Sequence, residues 1–498
     1  MNTAQDIKAF FSYPRQDFVA GIVVFLVALP LCLGIAIASG VSPLSGLVAG
    51  IVGGIVVPLI SRSPLSVSGP AAGLISIVLM EVDRLGTIER FLTAVILAGA
   101  MQFLFGVFRA GKYASLVPSS VIKGMLAAIG ITIIIKQIPV ALGVSGGWSD
   151  ISAAFAVGPT IITVLSLIML YGWKRTPLAK FALLSPALVL VVVSSVLAMI
   201  FRNVPSLALT PSQFVDVPLG GFKELANALP RPDFGAFMDK DIWIVAGTIA
   251  IVASIETLLS LQAVDRLDPL QRQSPPNREL LAQGIANSLS GFLGGLPVTS
   301  VIVRSGANIS AGGRERLSAL VHGLLLLIAV VFAGTALNLI PLACLAAVLI
   351  QVGLNLAKPS LFRSQAKLGA MQFLPFALTI AAVLGLDLLK GVIVGTVIGV
   401  LFVLHQNCKG VVKVTAEEDG LVRMRFRRDG TFLSKPGILM ALESIKDDTT
   451  VEIVATGEFL DQDVKEMLAG FIHSARTRNI KVHLVDVDLH GAAAGGGH

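Results

Sequence analysis

Two charged residues stand in stretches that otherwise carry almost no charge. Arg304 lies within LPVTSVIVRSGANISAGG, Leu296–Gly313, and Glu256 within IWIVAGTIAIVASIETLLSLQAV. Charge at bilayer depth costs about 2.5–3.5 kcal/mol on insertion scales, so each should have a partner or a task. Glu256 and Ser260 form an i, i+4 pair and share one helix face. A carboxylate so placed can carry a proton, ligate a cation such as sodium, or pair with Arg304. The Arg304 segment is too short, and too broken by Gly, Ser and Thr, to cross a bilayer alone. So is SVSGPAAGLISIVLM, Ser66–Met80, whose Pro70 precedes Pro297 by 227 residues. Two short, Gly/Pro-interrupted segments at matching places in two halves mark the binding site of a transporter.

Proline fits the first turn of a helix, so helices are expected to begin at Pro70 and Pro297. Starting in mid-membrane, they would turn unpaired amides and positive dipole ends toward each other, an arrangement that favours an anion. The donors would be mostly backbone groups of Ser68, Gly69, Ala71 and Ala72, and of Val298, Thr299 and Ser300. Arg304 would lie about two turns beyond Pro297, and its plainer role is a helix-holding pair with a carboxylate. Gln283 and Asn287 read as hydrogen-bonders between helices, and Lys123 and Lys136 as side chains snorkelling from the ends of their span.

The elements that must position these groups are apolar helices. Of 498 residues, 54% are hydrophobic and 14% charged, against about 25% charged in soluble domains. The chain therefore reads as an integral membrane protein with lipid around it. Cys32, Cys344 and Cys408 are isolated and the His residues scattered, so no disulfide framework, zinc site or cofactor is expected. No cleavable leader is visible at the N-terminus, and nothing points to nucleic acid. About fourteen apolar segments run between residues 18 and 406. Each is near the ~20 residues needed to span, except the short 70–82 and 298–312. With both termini cytoplasmic, 18 Lys and Arg fall inside and 7 outside, four of the latter in a Pro-rich loop at about 202–241. That asymmetry fits the positive-inside rule.

The halves repeat. Gly21 matches Gly247 and Pro30 matches Glu256 at an offset of 226; Pro118 matches Pro341 at 223. Seven spans per half is an odd number, so the halves are inverted in the membrane. The expected fold is an all-α polytopic membrane protein of fourteen segments in two inverted sevens, two of them half-helices. Residues 1–408 form the transport domain, with repeats at about 15–201 and 241–406. Beyond it, strand and helix patterns alternate: LVRMRFRRD, SKPGILMALESI, TTVEIVAT, DQDVKEMLAGFIHSART and IKVHLVDV. They imply a small α/β domain over 409–489, and 490–498 should be a disordered tail.

Four stretches carry a family resemblance: ALPLCLGIAIASG (Ala28–Gly40), VSGPAAG (Val67–Gly73), SIETLLS (Ser254–Ser260) and AQGIANSLSGFLGGLPVTSVIVRSGANISAGGRERLS (Ala282–Ser318). The chain resembles SulP-family anion transporters, relatives of sulfate permeases, cyanobacterial bicarbonate transporters, prestin and pendrin. Its C-terminal part resembles a STAS domain. The resemblance implies no enzyme but a homodimeric secondary transporter in a bacterial inner membrane, a core domain moving against a gate domain. The substrate it implies is a small inorganic anion, bicarbonate first and sulfate second. It also implies an anion site formed by Leu31 and Ile35, Ser68 to Ala72, Glu256 and Ser260, and Val301, Ile302, Val303 and Arg304. Glu256 and Ser260 would handle a proton or sodium co-ion. There are departures. Many sulfate-type members have glutamine and an aromatic where this chain has Leu31 and Ile35. Sodium-coupled bicarbonate members have aspartate at the place of Glu256, and no Asp-Ser phosphorylation loop is visible in the STAS-like part. Dicarboxylate or chloride transport, a channel, a sodium-bicarbonate symporter and an anion sensor remain as alternatives.

Overall fold

The structure is a computed structural model describing residues 9–112, 118–144, 148, 155–176, 186–218, 222–386, 388–407, 410–416, 421–457, 459–487 and 489. The tail 490–498 and Cys408 lie outside the described residues. Two compact units result, Met1–Gly395 and Thr396–His498.

In the first unit, α1 (Pro14–Ala38) and α2 (Pro43–Ile60) lead to a short strand, β1 (Ser68–Pro70). A 3-10 turn at Ala72–Leu74 then enters α3 (Ile75–Leu85), followed by α4 (Ile88–Val107), α5 (Ser119–Ala141), α6 (Val157–Gly172) and α7 (Pro186–Phe201). The long loop carries α8 (Phe222–Ala228) and is stitched to the second half. Val215 N–H donates to Ile340 O at 3.0 Å, and the Asn338 side chain bonds both backbone groups of Val217 at 2.8 Å.

The second half runs α9 (Lys240–Leu267), α10 (Pro276–Phe292), β2 (Val298–Ser300), α11 (Ile302–Ser310), α12 (Leu317–Phe332), α13 (Gly334–Leu337), α14 (Leu342–Leu356), α15 (Pro359–Lys367), α16 (Ala370–Gly385) and α17 (Leu388–Asn407). Among the described residues, six helical stretches are long and apolar enough to cross a bilayer, and five shorter apolar helices accompany them. The halves interleave: α4 packs along α10, α5 along α14, and both α1 and α2 against α12. One apolar core contains residues of both, among them Leu33, Phe91, Met125, Ile249, Val298 and Leu345.

The two broken segments meet. β1 pairs antiparallel with β2, in register Ser68↔Ser300, Gly69↔Thr299 and Pro70↔Val298. This corrects the expected helix starts. Pro70 is a strand residue, and α3 and α11 begin five residues beyond Pro70 and Pro297, at Ile75 and Ile302. Extended backbone suits the residue before a proline, and a two-strand ladder needs no N–H from Pro70 at its end. The helix starts are still 227 residues apart, the offset between the prolines.

At the end of α9 a polar clamp ties three segments. Arg272 donates to Asp268 at 2.8 Å, to Glu315 at 2.7 Å and to the Arg314 carbonyl at 2.9 Å. Asp17 of α1 accepts the Arg314 and Glu315 amides at 2.7 and 3.0 Å. Burial works to raise the Asp268 carboxyl, but the bonds from Arg272 and from the backbone hold it below its ordinary value.

The second unit, which takes in the end of α17, carries a four-stranded sheet in the order β3 (Val412–Ala416), β4 (Leu421–Phe426), β5 (Thr450–Val454), β6 (Lys481–Val485). β3 and β4 are antiparallel, and the other pairs parallel. The parallel crossovers carry α18 (Lys435–Glu443) and α19 (Gln462–Ala475). Met424 and Phe426, Val451 and Ile453 alternate into its core, as a half-buried strand requires. Strand β3 is an element the sequence reading did not mark.

Candidate functional site

The crossing of β1 and β2 is held from behind by α10. Asn287 uses its carboxamide as a backbone mimic: Val298 N–H donates to its Oδ1 at 2.6 Å, and its Nδ2 donates to Val298 O at 2.9 Å and to Gln102 Oε1 at 2.6 Å. The Nδ2 bond gives the Val298 carbonyl a donor where Pro70, opposite it, has no N–H. One turn earlier Gln283 Nε2 donates to Ser68 Oγ at 2.7 Å and to Glu279 Oε1 at 2.9 Å. Glu279, fully buried, also accepts the hydroxyls of Ser61 and of Ser63, the latter at 2.7 Å. So Gln283 and Asn287 do hydrogen-bond between elements: Asn287 ties α10 to α4 through Gln102, as a bond between helices, and both residues also hold the strands.

The strand amides are largely spent. Ser300 N–H reaches Thr257 Oγ1 at 3.3 Å and Val301 N–H the Val67 carbonyl at 3.0 Å. The amides of Ile302, Val303 and Arg304 form the first turn of α11, where no helical carbonyl precedes them.

Two glycines of VSGPAAG each meet one of the two charges. Gly73 lies against Glu256: a Cβ there would sit 2.8 Å from Oε1 and from Oε2. Gly69 lies against the Arg304 guanidinium so closely that a Cβ would overlap Nη1. Only a residue without a side chain admits either approach.

Of the two charges, only Glu256 lines a cleft. In front is a cleft of about 370 Å³ whose walls include Ala72, Gly73, Glu256, Ser260, Val301, Ile302 and Val303. Glu256 is half-buried there, and its Oε2 has no hydrogen-bond partner. Lys123 of α5 and Arg266 of α9 also line the cleft. Arg266 is ten residues, about 15 Å, along the helix from Glu256. Neither cation has a hydrogen bond or ion pair among the described residues.

Behind the crossing, Arg304 is fully buried. Its Nη2 donates to Cys32 Sγ at 3.3 Å, while Nε and Nη1 have no partner. Among the described residues no carboxylate pairs with it, Glu256 included. His322 of α12 is buried on this side against Gly54, with neither ring nitrogen hydrogen-bonded. Leu31, Ile35, Ser68, Gly69, Ala71, Thr299 and Ser300 are likewise buried and do not form the cleft wall. The structure thus brings Ala72, Glu256, Ser260, Val301, Ile302 and Val303 together at the cleft and leaves the remaining sequence-selected residues outside its walls.

Sequence reasoning missed Gly73, Lys123, Arg266, Glu279 and His322. A signal existed for Arg266: the face begun by Glu256 and Ser260 continues through Ala263 to it at helical spacing. Lys123 was read as a snorkelling side chain; it lines the cleft instead, because that face of α5 meets an opening rather than lipid.

A family model described as the sulfate permease family matches residues 15–381. The chain belongs to the sulfate permease family. A putative sulfate transporter of Bacillus subtilis, YvdB, is 28% identical over 95% of this chain and 91% of its own length. The bicarbonate transporter BicA of Picosynechococcus is 28% identical over 70% of this chain and 63% of its own. The solved transmembrane domain of a cyanobacterial BicA superposes with a TM-score of 0.66 at 25% identity, covering 76% of this chain and 98% of that one. The murine anion transporter Slc26a9 in its inward-facing state superposes at 0.76 and 17% identity, over 98% and 90%, which speaks to the fold alone. This sulfate permease family member is therefore a multi-pass membrane protein of an anion-transporter family and not an enzyme.

Proposed function

We propose that the protein is a secondary transporter of a small inorganic oxyanion, bicarbonate or sulfate, working by alternating access with Glu256 as its coupling group. The observation that carries this reading is the front cleft. First-turn amides of α11, the unpaired cations Lys123 and Arg266, and one carboxylate with an unpartnered oxygen converge on it. Amides at a helix start and two cations favour an anion. A carboxylate among them opposes it unless neutralised, so anion and proton, or anion and sodium, should bind together. We assign the proton, since one protonation removes the opposing charge entirely.

A specific observation supports sulfate as the second reading: with Glu256 protonated, the cleft walls carry two positive charges, which suit a dianion. Arg304 would act from behind the strands by its potential rather than by contact. In this reading the termini are cytoplasmic and the membrane is a bacterial inner membrane. The transport domain is 1–408, and the fourteen segments form two inverted sevens. The C-terminal unit is a STAS domain and the protein a homodimer. Uptake of labelled bicarbonate, sulfate, succinate and chloride into proteoliposomes, with and without pH and sodium gradients, tests the proposal. Oxyanion uptake driven by an inward proton gradient is expected. Transport of none of them, or conductance indifferent to every gradient, would overturn it.

A further inference from the structure

A second cleft in the first unit shares no lining residue with the cleft at Glu256. Its volume is about 270 Å³, and its walls come from Leu44 and Val52 of α2, Phe292 at the end of α10, Val330 of α12, and Leu229 and Arg231 just beyond α8. Arg231 is its single charged lining residue; all others are apolar. Large apolar side chains stand exposed beside it: Phe292 at 58%, Ile328 at 52% and Phe332 at 80%. An apolar groove with such a rim faces hydrocarbon, not water, in a chain of this class.

The groove is built rather than incidental. The segment that roofs it is pinned, since Asp233 N–H donates to the Glu89 carbonyl at 3.0 Å and Thr93 Oγ1 donates to the Asp233 carbonyl at 2.8 Å. Leu225 and Leu229 point their apolar side chains into the groove from that roof. Arg231 is exposed and has no hydrogen bond or ion pair among the described residues. It follows α8 in the loop between the two halves.

We propose that this groove holds one acyl chain of an anionic phospholipid from the surrounding bilayer, with the lipid phosphate on Arg231. The apolar walls suit a hydrocarbon tail, and the unpaired guanidinium suits a phosphate, to which it can present two donors at once. A zwitterionic lipid would fill the same walls but lose the net charge attraction that an interfacial cation offers. The site is independent of the transported anion, because none of its residues lines the front cleft.

The test uses the full chain purified in a neutral detergent, stripped of lipid, and titrated with phosphatidylglycerol or phosphatidylcholine under native mass spectrometry. The wild type should retain phosphatidylglycerol at least fivefold better than phosphatidylcholine. Arg231→Glu, an exposed change that leaves folding intact, should abolish that preference while leaving phosphatidylcholine binding unchanged. Val48→Trp, a change at a lining residue of α2 between Leu44 and Val52 that fills the groove, should remove one bound lipid whatever its headgroup. A wild type without headgroup preference, or an Arg231→Glu protein that keeps it, would overturn the proposal. So would a folded Val48→Trp protein that binds as many lipids as the wild type, or one that instead loses a dimer held through this face.

Discussion

The front and the back of the β1/β2 crossing make an instructive pair. Each presents one charged side chain to one glycine of the same seven-residue motif, Glu256 to Gly73 in front and Arg304 to Gly69 behind. The front charge borders a cleft and can exchange with what enters it. The back charge is sealed, with one weak sulfur contact for a partner. A mobile charge can couple and a fixed one can bias. Within α11 the same division falls between neighbours: Val303 lines the cleft while Arg304, 100° further round, does not.

The steepest way to break this contrast is at the glycines. Gly69→Val would drive side-chain atoms into a sealed guanidinium, and overpacking of this kind costs about 1–3 kcal/mol or more. We expect that variant to lose its monodisperse folded form in size-exclusion chromatography. Gly73→Val meets a carboxylate that can move into the cleft, so it should fold and yet lose anion uptake. Equal behaviour of the two would remove the distinction between front and back.

Arg304→Met comes next. It keeps volume and removes a charge that no carboxylate balances, so the thermal midpoint should stay close to wild type. Anion affinity measured by calorimetry should fall about tenfold, equivalent to about 1.4 kcal/mol. Unchanged affinity in the folded protein would make Arg304 a packing residue only.

How much of this was legible in the sequence follows from what spacing encodes. The interrupted segments 66–80 and 296–313 declared themselves by Pro, Gly and one arginine, and the structure pairs them. Their helix starts were read five residues early, because a proline marks where a helix can begin and equally where a strand can end. The sequence also left Glu256 and Arg304 open as partners. Spacing along each helix gives a face, but which faces meet across a strand crossing is a tertiary fact. Asn287 and Gln283 were recognised as bonding residues, yet their target, the backbone of β2 and the Ser68 hydroxyl, depends on a chain reversal that no local pattern reveals. In the second unit, alternation exposed β4 to β6 well, whereas β3, VKVTA, is too short for its alternation to stand out from the stretch before LVRMRFRRD.

Smaller effects sharpen the front side. Lys123→Gln should weaken sulfate binding three- to fivefold and bicarbonate less, since a dianion gains twice the interaction energy of a monoanion in the field of one wall charge. The loss should shrink as ionic strength rises, because a cleft charge open to solvent is screened. A loss independent of salt, or equal for both anions, would mean Lys123 acts through packing. Smallest of all should be removal of residues after Glu417, outside the first unit. Anion affinity of the truncated protein should stay within about twofold even where expression or rate declines. Complete loss of binding in a monodisperse preparation would show that the second unit shapes the site.

The central claim is that the front carboxylate is the exchangeable charge that couples transport. Sulfate, whose charge does not change across the working pH range, is the clean probe. In proteoliposomes, wild-type uptake should rise with an inward proton gradient and ignore sodium. Glu256→Gln, which mimics the protonated carboxyl, should bind sulfate as well as wild type and take it up at a rate that no longer responds to the gradient. By linkage, sulfate should also draw a proton into the wild type and none into the variant. Wild-type uptake that follows sodium and ignores pH, or a Glu256→Gln protein that keeps the full pH response, would contradict the account.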